Sequence, residues 1–261
     1  MKSICLIGFY FGRIPPFFTL FLESCRHNPT VDFILFTDFE VKDSPDNVRM
    51  IPFSLNAFCE LASSKLHLQV KFTNPKKVCE FRPAFGAIFE DYIQGFDFWG
   101  TIDNDIIYGN IRRFMTESLL NEYDVITSRE QYLVSHFTLY RNTQSMRDLY
   151  KESQDYQWVF EEETYFNFEE CNFLWWSLLA GWNIEDIMMS EEGDKHIESI
   201  TYVVHKLARQ NQLRCYSKTI MEEQDQLDEH GILRPFSDLL QWKNGTLIRK
   251  HNQEELMYFH I

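Results

Sequence analysis

Residues 98–109 read FWGTIDNDIIYG. An apolar run leads into two aspartates, Asp103 and Asp105, separated by Asn104. Alternate residues of a strand share a face, so this spacing predicts that both carboxylates point to one side. Carboxylates held that close repel each other, and burial adds a desolvation cost. A divalent cation removes both penalties. Hard carboxylate oxygens suit Mn2+ or Mg2+, which complete their shells with phosphate oxygens and water. An ion bound this way would neutralise a diphosphate leaving group. A bare D-x-D is also found as a solvated turn or a strand-end cap. The apolar lead-in and the glycine that follows favour the metal reading.

Upstream, SICLIGFYFG reads as a buried first strand, and FFTLFLESCRH as a helix starting after Pro15 and Pro16. VDFILFTD (31–38) and residues 48–53 are further strands. Strand, helix, strand at this spacing predicts a βαβ unit and a parallel sheet. Open α/β sheets bind ligands beyond the carboxyl ends of their strands, which is where the aspartates fall. No G-x-G-x-x-G or Walker loop is present. Residues 56–70 and 80–95 read as helices, the second with Pro83 in its first turn. After the motif come a helix (GNIRRFMTESLL), strands YDVITS and HFTLYRN, and a helix TQSMRDLYK capped by Asn142 or Thr143. Residues 159–179 suggest one helix with an acidic face, and 191–226 are polar without clear pattern. The C-terminus predicts a β-hairpin turning at His251 and Asn252. No repeat or linker interrupts the chain, so one domain over 1–261 is expected.

With 44% hydrophobic and 25% charged residues, the composition is that of a globular chain. The net charge of −14 would repel a nucleic-acid backbone, and the short pairs Lys76–Lys77 and Arg112–Arg113 do not offset it. Six cysteines without a C-x-x-C pair argue for reduced thiols rather than a disulfide framework or structural zinc. The N-terminal apolar run is too short and interrupted for a membrane span and lacks a small-residue cleavage site. A cytoplasmic protein is expected, with peripheral contact at the inner face of the membrane.

The stretch KVCEFRPAFGAIFEDYIQGFDFWGTIDNDIIYGNIRRF (77–114) resembles a block of bacterial polysaccharide-biosynthesis glycosyltransferases of GT-A type. There a Lys-x-Cys-Asp-x-Lys-Pro helix start precedes W-G-x-x-D-x-D and a Gly-Asn-Leu/Ile helix. The opening strand, FILFTD, HFTLYRN, YFNFEE and YFHI have counterparts in the same order, while 184–241 carries little likeness. The resemblance implies a GT-A-like (Rossmann-like) mixed sheet flanked by helices. A nucleotide-sugar-binding half, about 1–110, would join an acceptor-side half, about 111–261. It implies transfer from a nucleotide-sugar, a UDP-sugar by expectation, to a glycan or lipid-linked glycan acceptor.

Within that resemblance Asp105 is the main metal ligand, Asp103 binds metal or the donor's ribose, and His260 supplies a third ligand. Donor binding would then weaken as pH falls through the histidine range. Three features depart from the pattern. Glu80 and Arg82 stand for Asp and Lys, Ser135 stands for Gly before His136, and the sequence ends at Ile261 where basic residues are expected.

The secondary candidates each have a plainer reading. Arg82 would clamp the donor phosphates, its loss leaving the melting temperature nearly unchanged, or would pair with Glu80 or Asp91. His136 would contact acceptor or cap its strand. Glu169 and Glu170 would bind sugar hydroxyls or supply a base, or sit solvated on a helix. Trp175 and Trp176 would stack on a sugar or fill core. Two other functions compete. A haloacid-dehalogenase-like phosphohydrolase also uses D-x-D, though on its first strand and with a downstream Lys and Asp pair that this chain lacks. A non-catalytic nucleotide- or sugar-binding relative is the other.

Overall fold

Side-chain burial along the first strand, β1 (Ile4–Tyr10), divides by alternation: Cys5 and Ile7 enter one hydrophobic layer, Ile4 and Leu6 the other. β2 (Val31–Thr37) does the same, with Ile34 and Phe36 on one side and Phe33 and Leu35 on the other. Strands covered on both faces read as near-continuous apolar runs, which is why these segments are so rich in Ile, Leu and Phe. Each fully buried Phe contributes about 1.5–3 kcal/mol relative to exposure. The structure is a computed structural model and describes residues 1–41, 43–189, 196–223 and 239–261.

The remaining strands are β3 (Val48–Pro52), β4 (Phe98–Ile102), β5 (Ile106–Tyr108), β6 (Val125–Thr127), β7 (Phe137–Arg141), β8 (Cys215–Ser217) and β9 (Met221–Glu223). They are followed by β10 (Leu240–Lys243), β11 (Thr246–Arg249), β12 (Glu255–Leu256) and β13 (Tyr258–His260). Seven form one sheet in the order β3-β2-β1-β4-β7-β6-β8. β3, β2, β1 and β4 are mutually parallel, whereas β7 is antiparallel to both β4 and β6. The mixed sheet flanked by helices is therefore present, with the expected parallel unit as its first half. A second sheet, β5-β13-β9, ties the chain end to the segment just after the D-x-D. The third, β10-β11-β12, contains the expected C-terminal hairpin, turning over residues 250–253.

The W-G pair before the aspartates has a packing cause. Trp99 stacks on Tyr140 with centroids 4.4 Å apart. A Cβ on Gly100 would lie 2.6 Å from Leu139 Cδ2 and 2.7 Å from the Thr138 carbonyl, so β4 and β7 approach too closely for a side chain there. Beyond β5, Asn28 pins the corner, its Nδ2 donating to the Gly109 carbonyl at 2.8 Å and its Oδ1 accepting from the Ile111 N–H at 2.9 Å.

The helical readings change in several places, GNIRRFMTESLL among them, which folds as two short helices, Ile111–Phe114 and Glu117–Glu122. Residues 80–95 are not one helix but a 3-10 stretch, Pro75–Ala84, then single turns at Phe85–Ile88 and Glu90–Ile93. Pro83 lies inside the 3-10 stretch, where its missing N–H prevents regular helix. Residues 159–179 contain only Tyr156–Glu161 and Trp175–Leu179 as helix. Between them Asn167, Asn172 and Phe173 take left-handed backbone angles, which break a helix. The polar segment 191–226 includes a helix, Ile200–Arg209, burying Ile200, Val203, Val204 and Leu207 at i, i+3, i+4, i+7. Thr143, one of the two expected caps, accepts from the Met146 N–H.

Candidate active site

Asp103, Asn104 and Asp105 form the bend between β4 and β5 rather than part of a strand. Strand alternation therefore does not set their direction; the chain end does. β13 runs antiparallel to β5 with His260 opposite Ile106, and the Ile261 N–H donates to the Asp105 carbonyl at 2.8 Å. That register sets the His260 imidazole against the bend. One ligand atom from each of Asp103, Asp105 and His260 lies within 4.8 Å of the others. His260 Nε2 is 3.3 Å from Asp105 Oδ1, yet this buried oxygen receives no hydrogen bond among the described residues. A buried carboxylate oxygen held only by an ion-pair contact, with no hydrogen bond of its own, is open to a divalent cation.

The imidazole itself holds positive charge here. Burial pushes its pKa down, but Asp105, Glu223 and Asp103 outweigh burial and raise it to about 10. A metal entering the site must displace that proton. Any metal binding there would therefore strengthen with pH through the whole neutral range, instead of levelling off above the ordinary histidine value.

Arg82 reaches the bend from the 3-10 stretch. Its Nη2 donates to Asp103 Oδ1, its Nη1 lies 3.4 Å from Asp103 Oδ2, and Nη1 also donates to Ser135 Oγ. Arg82 is only 8% exposed. Burial pushes the Asp103 carboxyl up, but Arg82, with His260 and His136, overcomes this and holds it below its usual range. Ser135, where glycine was expected, is thus the third member of the clamp. Its N–H donates to Glu170 Oε1 at 2.9 Å.

The same 3-10 stretch fastens the loop carrying the acidic candidates. Lys77 is fully buried and donates to the carbonyls of Val159 and Thr164. Glu80, also fully buried, accepts from the N–H groups of Phe166 and Phe168; burial raises it to about 7 despite Lys77 and these donors. On that loop Glu169 is 3% exposed. Its Oε1 accepts from the Tyr165 hydroxyl at 2.6 Å, while Oε2 has no partner among the described residues. Burial, then Glu80 and Glu170, push Glu169 up to about 8 against Arg82 and Tyr165. Glu170 is fully engaged by the Ser135 N–H, Asn167 Nδ2 and Trp175 Nε1. Trp175 is held half-buried by that bond, and Trp176 is 81% exposed.

A carboxyl raised in the fold stabilises it below about pH 4.5 and loses that contribution as pH rises through its folded value. The melting temperature of the wild type should therefore fall between about pH 5 and pH 9. Glu169→Gln should show a shallower fall, with Glu80 and, above about pH 6.5, His260 supplying the remaining slope and the two proteins converging at the acid end. Parallel melting curves across that range would count against a buried neutral acid at Glu169.

His136 is 3% exposed and stacks on His260, with centroids 4.3 Å apart and planes at 24°. Its Nδ1 is 2.8 Å from the Tyr258 hydroxyl and its Nε2 is 3.1 Å from Glu223 Oε1. Burial lowers its pKa against the pull of Glu223. Glu223 escaped the sequence reading. It lies on a three-residue strand in a segment without periodicity, and its neighbour β13 is far along the chain.

A cavity of about 260 Å3 opens beside the bend, walled by Phe9, Tyr10, Lys76, Cys79, Arg82 and Asn104 among others. Asn104 is 8% exposed, and its Nδ2 has no partner among the described residues. The cavity and the Asp103–Asp105–His260 group meet at Asp103.

A family model described as a family of unknown function, DUF6625, matches residues 6–261. The chain belongs to this family. No curated protein matches the DUF6625 chain. Among solved structures it is similar to the galactosyltransferase LgtC in complex with donor and acceptor sugar analogs, at 8% identity and a TM-score of 0.43. That match covers 98% of this chain and 86% of that one. Mouse xyloside xylosyltransferase 1 gives 8% identity and 0.43, over 100% and 97%. Glycosyltransferase GlyE of Streptococcus pneumoniae TIGR4 gives 12% and 0.35, over 83% of this chain but only 46% of GlyE. Likeness this distant carries nothing about chemistry. No helix among the described residues of the DUF6625 chain is long and apolar enough to cross a membrane.

Proposed function

We propose that this chain is a metal-dependent glycosyltransferase. In this reading it moves a sugar from a nucleotide-sugar, a UDP-sugar in particular, to a surface-polysaccharide acceptor, glycan or lipid-linked. The observation that carries the reading is the convergence of Asp103, Asp105 and His260 around a buried, unbonded Asp105 Oδ1 beside an open cavity. These three residues would hold Mn2+ or Mg2+. When bound, the ion supplies Lewis-acid neutralisation of the diphosphate that leaves with the nucleotide.

The chain's own residues divide the remaining work. The cavity is walled by residues between 9 and 104, so the donor belongs to the half spanning about 1–110 and the acceptor to about 111–261. Asn104 Nδ2 and Lys76 offer donors to the nucleotide-sugar at that wall. Arg82 fixes Asp103 and thereby the donor's diphosphate end, rather than gripping phosphate as a free cation. Glu169 keeps one oxygen unengaged but is 3% exposed and does not line the cavity, so in this reading it is a buried neutral acid bracing the loop rather than a sugar contact. Glu170 and His136 are committed to neighbours and serve as braces in this reading. A phosphohydrolase would need a free nucleophilic carboxylate, and Arg82 occupies both oxygens of Asp103.

Two measurements test the proposal together: release of UDP from a panel of UDP-sugars with and without Mn2+, and calorimetric titration with UDP in EDTA and then in Mn2+. Tight UDP binding only with Mn2+, followed by turnover of one donor, is the expected result. Equal UDP affinity in both buffers would sink it. Metal-dependent binding without release from any donor would point to a non-catalytic relative.

A further inference from the structure

We propose that Glu223 is a positioning residue that holds the Nδ1 edge of His260, so that Nε2 is presented to Asp105 and Asp103. This rests on the metal site proposed above. β13 lies between two strands: His260 stands opposite Ile106 of antiparallel β5 and opposite Glu223 of parallel β9. The imidazole is therefore flanked by carboxylates, Nε2 being 3.3 Å from Asp105 Oδ1 and Nδ1 3.8 Å from Glu223 Oε1. At 3.8 Å the second contact is electrostatic rather than a hydrogen bond. It still selects a tautomer, since a lone pair on Nδ1 would face a carboxylate. The proton stays on Nδ1, and the Nε2 lone pair is left for the metal.

Glu223, His136 and His260 also bring one ligand atom each within 4.8 Å of one another, but both Glu223 oxygens are already engaged. Arg129, with a side chain 11% exposed, binds its Oε2, and His136 Nε2 sits 3.1 Å from its Oε1. His136 is anchored in turn by the Tyr258 hydroxyl and lies flat against the His260 ring. Tyr258 and His260 are alternate residues of β13 and share a face, so one short strand sets both ends of this arrangement. Carboxylate, imidazole and metal in series is the usual way a protein fixes a metal-binding histidine.

The test uses the full chain and Mn2+ alone as probe, with affinity from titration and histidine ligation from the 14N modulation in pulsed EPR. Wild type should bind Mn2+ with an imidazole nitrogen signal, and Asp105→Asn should lose binding. Glu223→Gln should bind about 10–100-fold more weakly and lose nitrogen signal at saturating Mn2+. A role confined to folding would not remove that signal from folded protein. If Glu223→Gln melts far below wild type, Glu223→Asp is read instead, because it keeps a charge for Arg129 but withdraws the carboxylate from His260. The same loss of nitrogen signal is then expected. Wild-type affinity and a full nitrogen signal in the folded Glu223 variant, with Asp105→Asn still inactive in binding, would overturn the positioning role alone. Mn2+ binding that ignores Asp105 would overturn the metal site and this inference with it.

Discussion

Replacing Asp105 by asparagine should abolish Mn2+-dependent transfer, a loss of about 10²–10³-fold or more, while the protein still folds. That is the size of effect seen when a preorganised group that stabilises developing charge is removed. Asp105 contributes the buried oxygen that no donor satisfies, so the amide loses the anionic ligand without breaking an internal hydrogen bond of that oxygen. In the metal-free protein two changes oppose each other. Repulsion from Asp103 is relieved, and His260 loses a carboxylate 3.3 Å away. The metal-free melting temperature should therefore move little. The decisive readout is the ion's own stabilisation. Mn2+ at 100 times its Kd adds about 2.7 kcal/mol to the wild type, or roughly 5–11 °C for a chain of this length. Asp105→Asn should show no such rise. A variant that keeps the Mn2+ shift would take Asp105 out of the metal site.

Arg82→Ala should be costly to the fold as well as to the site. Breaking a fully buried ion pair costs about 3–5 kcal/mol, because the remaining charge is left unpaired. The Asp103 side chain keeps 27% exposure, so the expected cost is about 2–3 kcal/mol, a melting temperature lower by roughly 4–12 °C. The sign of its pH dependence follows from Asp103. A carboxyl held below its ordinary value contributes stability above about pH 4 and loses it as pH falls further. The gap between wild type and Arg82→Ala should therefore narrow under acid. Arg82→Lys should recover only part, since an ammonium cannot fork to Asp103 and Ser135 together. Melts at neutral and acid pH check this. An unchanged melting temperature, with donor binding lost, would restore the free phosphate clamp that the sequence suggested.

Some features were legible without any structure because their causes are local. β1 and β2 announce themselves as apolar runs, and so does β4, whose residues enter both hydrophobic layers while β1 and β7 pair with its two edges. The helix Ile200–Arg209 was missed, although its i, i+3, i+4, i+7 apolar pattern is present, because the polar residues around it mask the period. Glu80 and Arg82 were visible as residues but not as roles. Both depend on burial, and nothing in the sequence says that Glu80 meets the N–H groups of residues 166 and 168 or that Arg82 meets Ser135.

By itself, then, the sequence determined the mixed α/β class, the strand that leads into the aspartates, and the pair of neighbouring carboxylates that suggests a cation. Tertiary structure decided which groups answer them. His260 comes to Asp105 through the antiparallel register of β13 on β5, and Glu223 comes to His260 through the parallel register of β9. Strands of three residues bear no periodicity long enough to read, and pairings between segments far apart in the chain leave no trace in local spacing. Only the three-stranded sheet β5-β13-β9 brings these charges within reach of one another, where Coulomb energy in a poorly screened interior makes their arrangement matter.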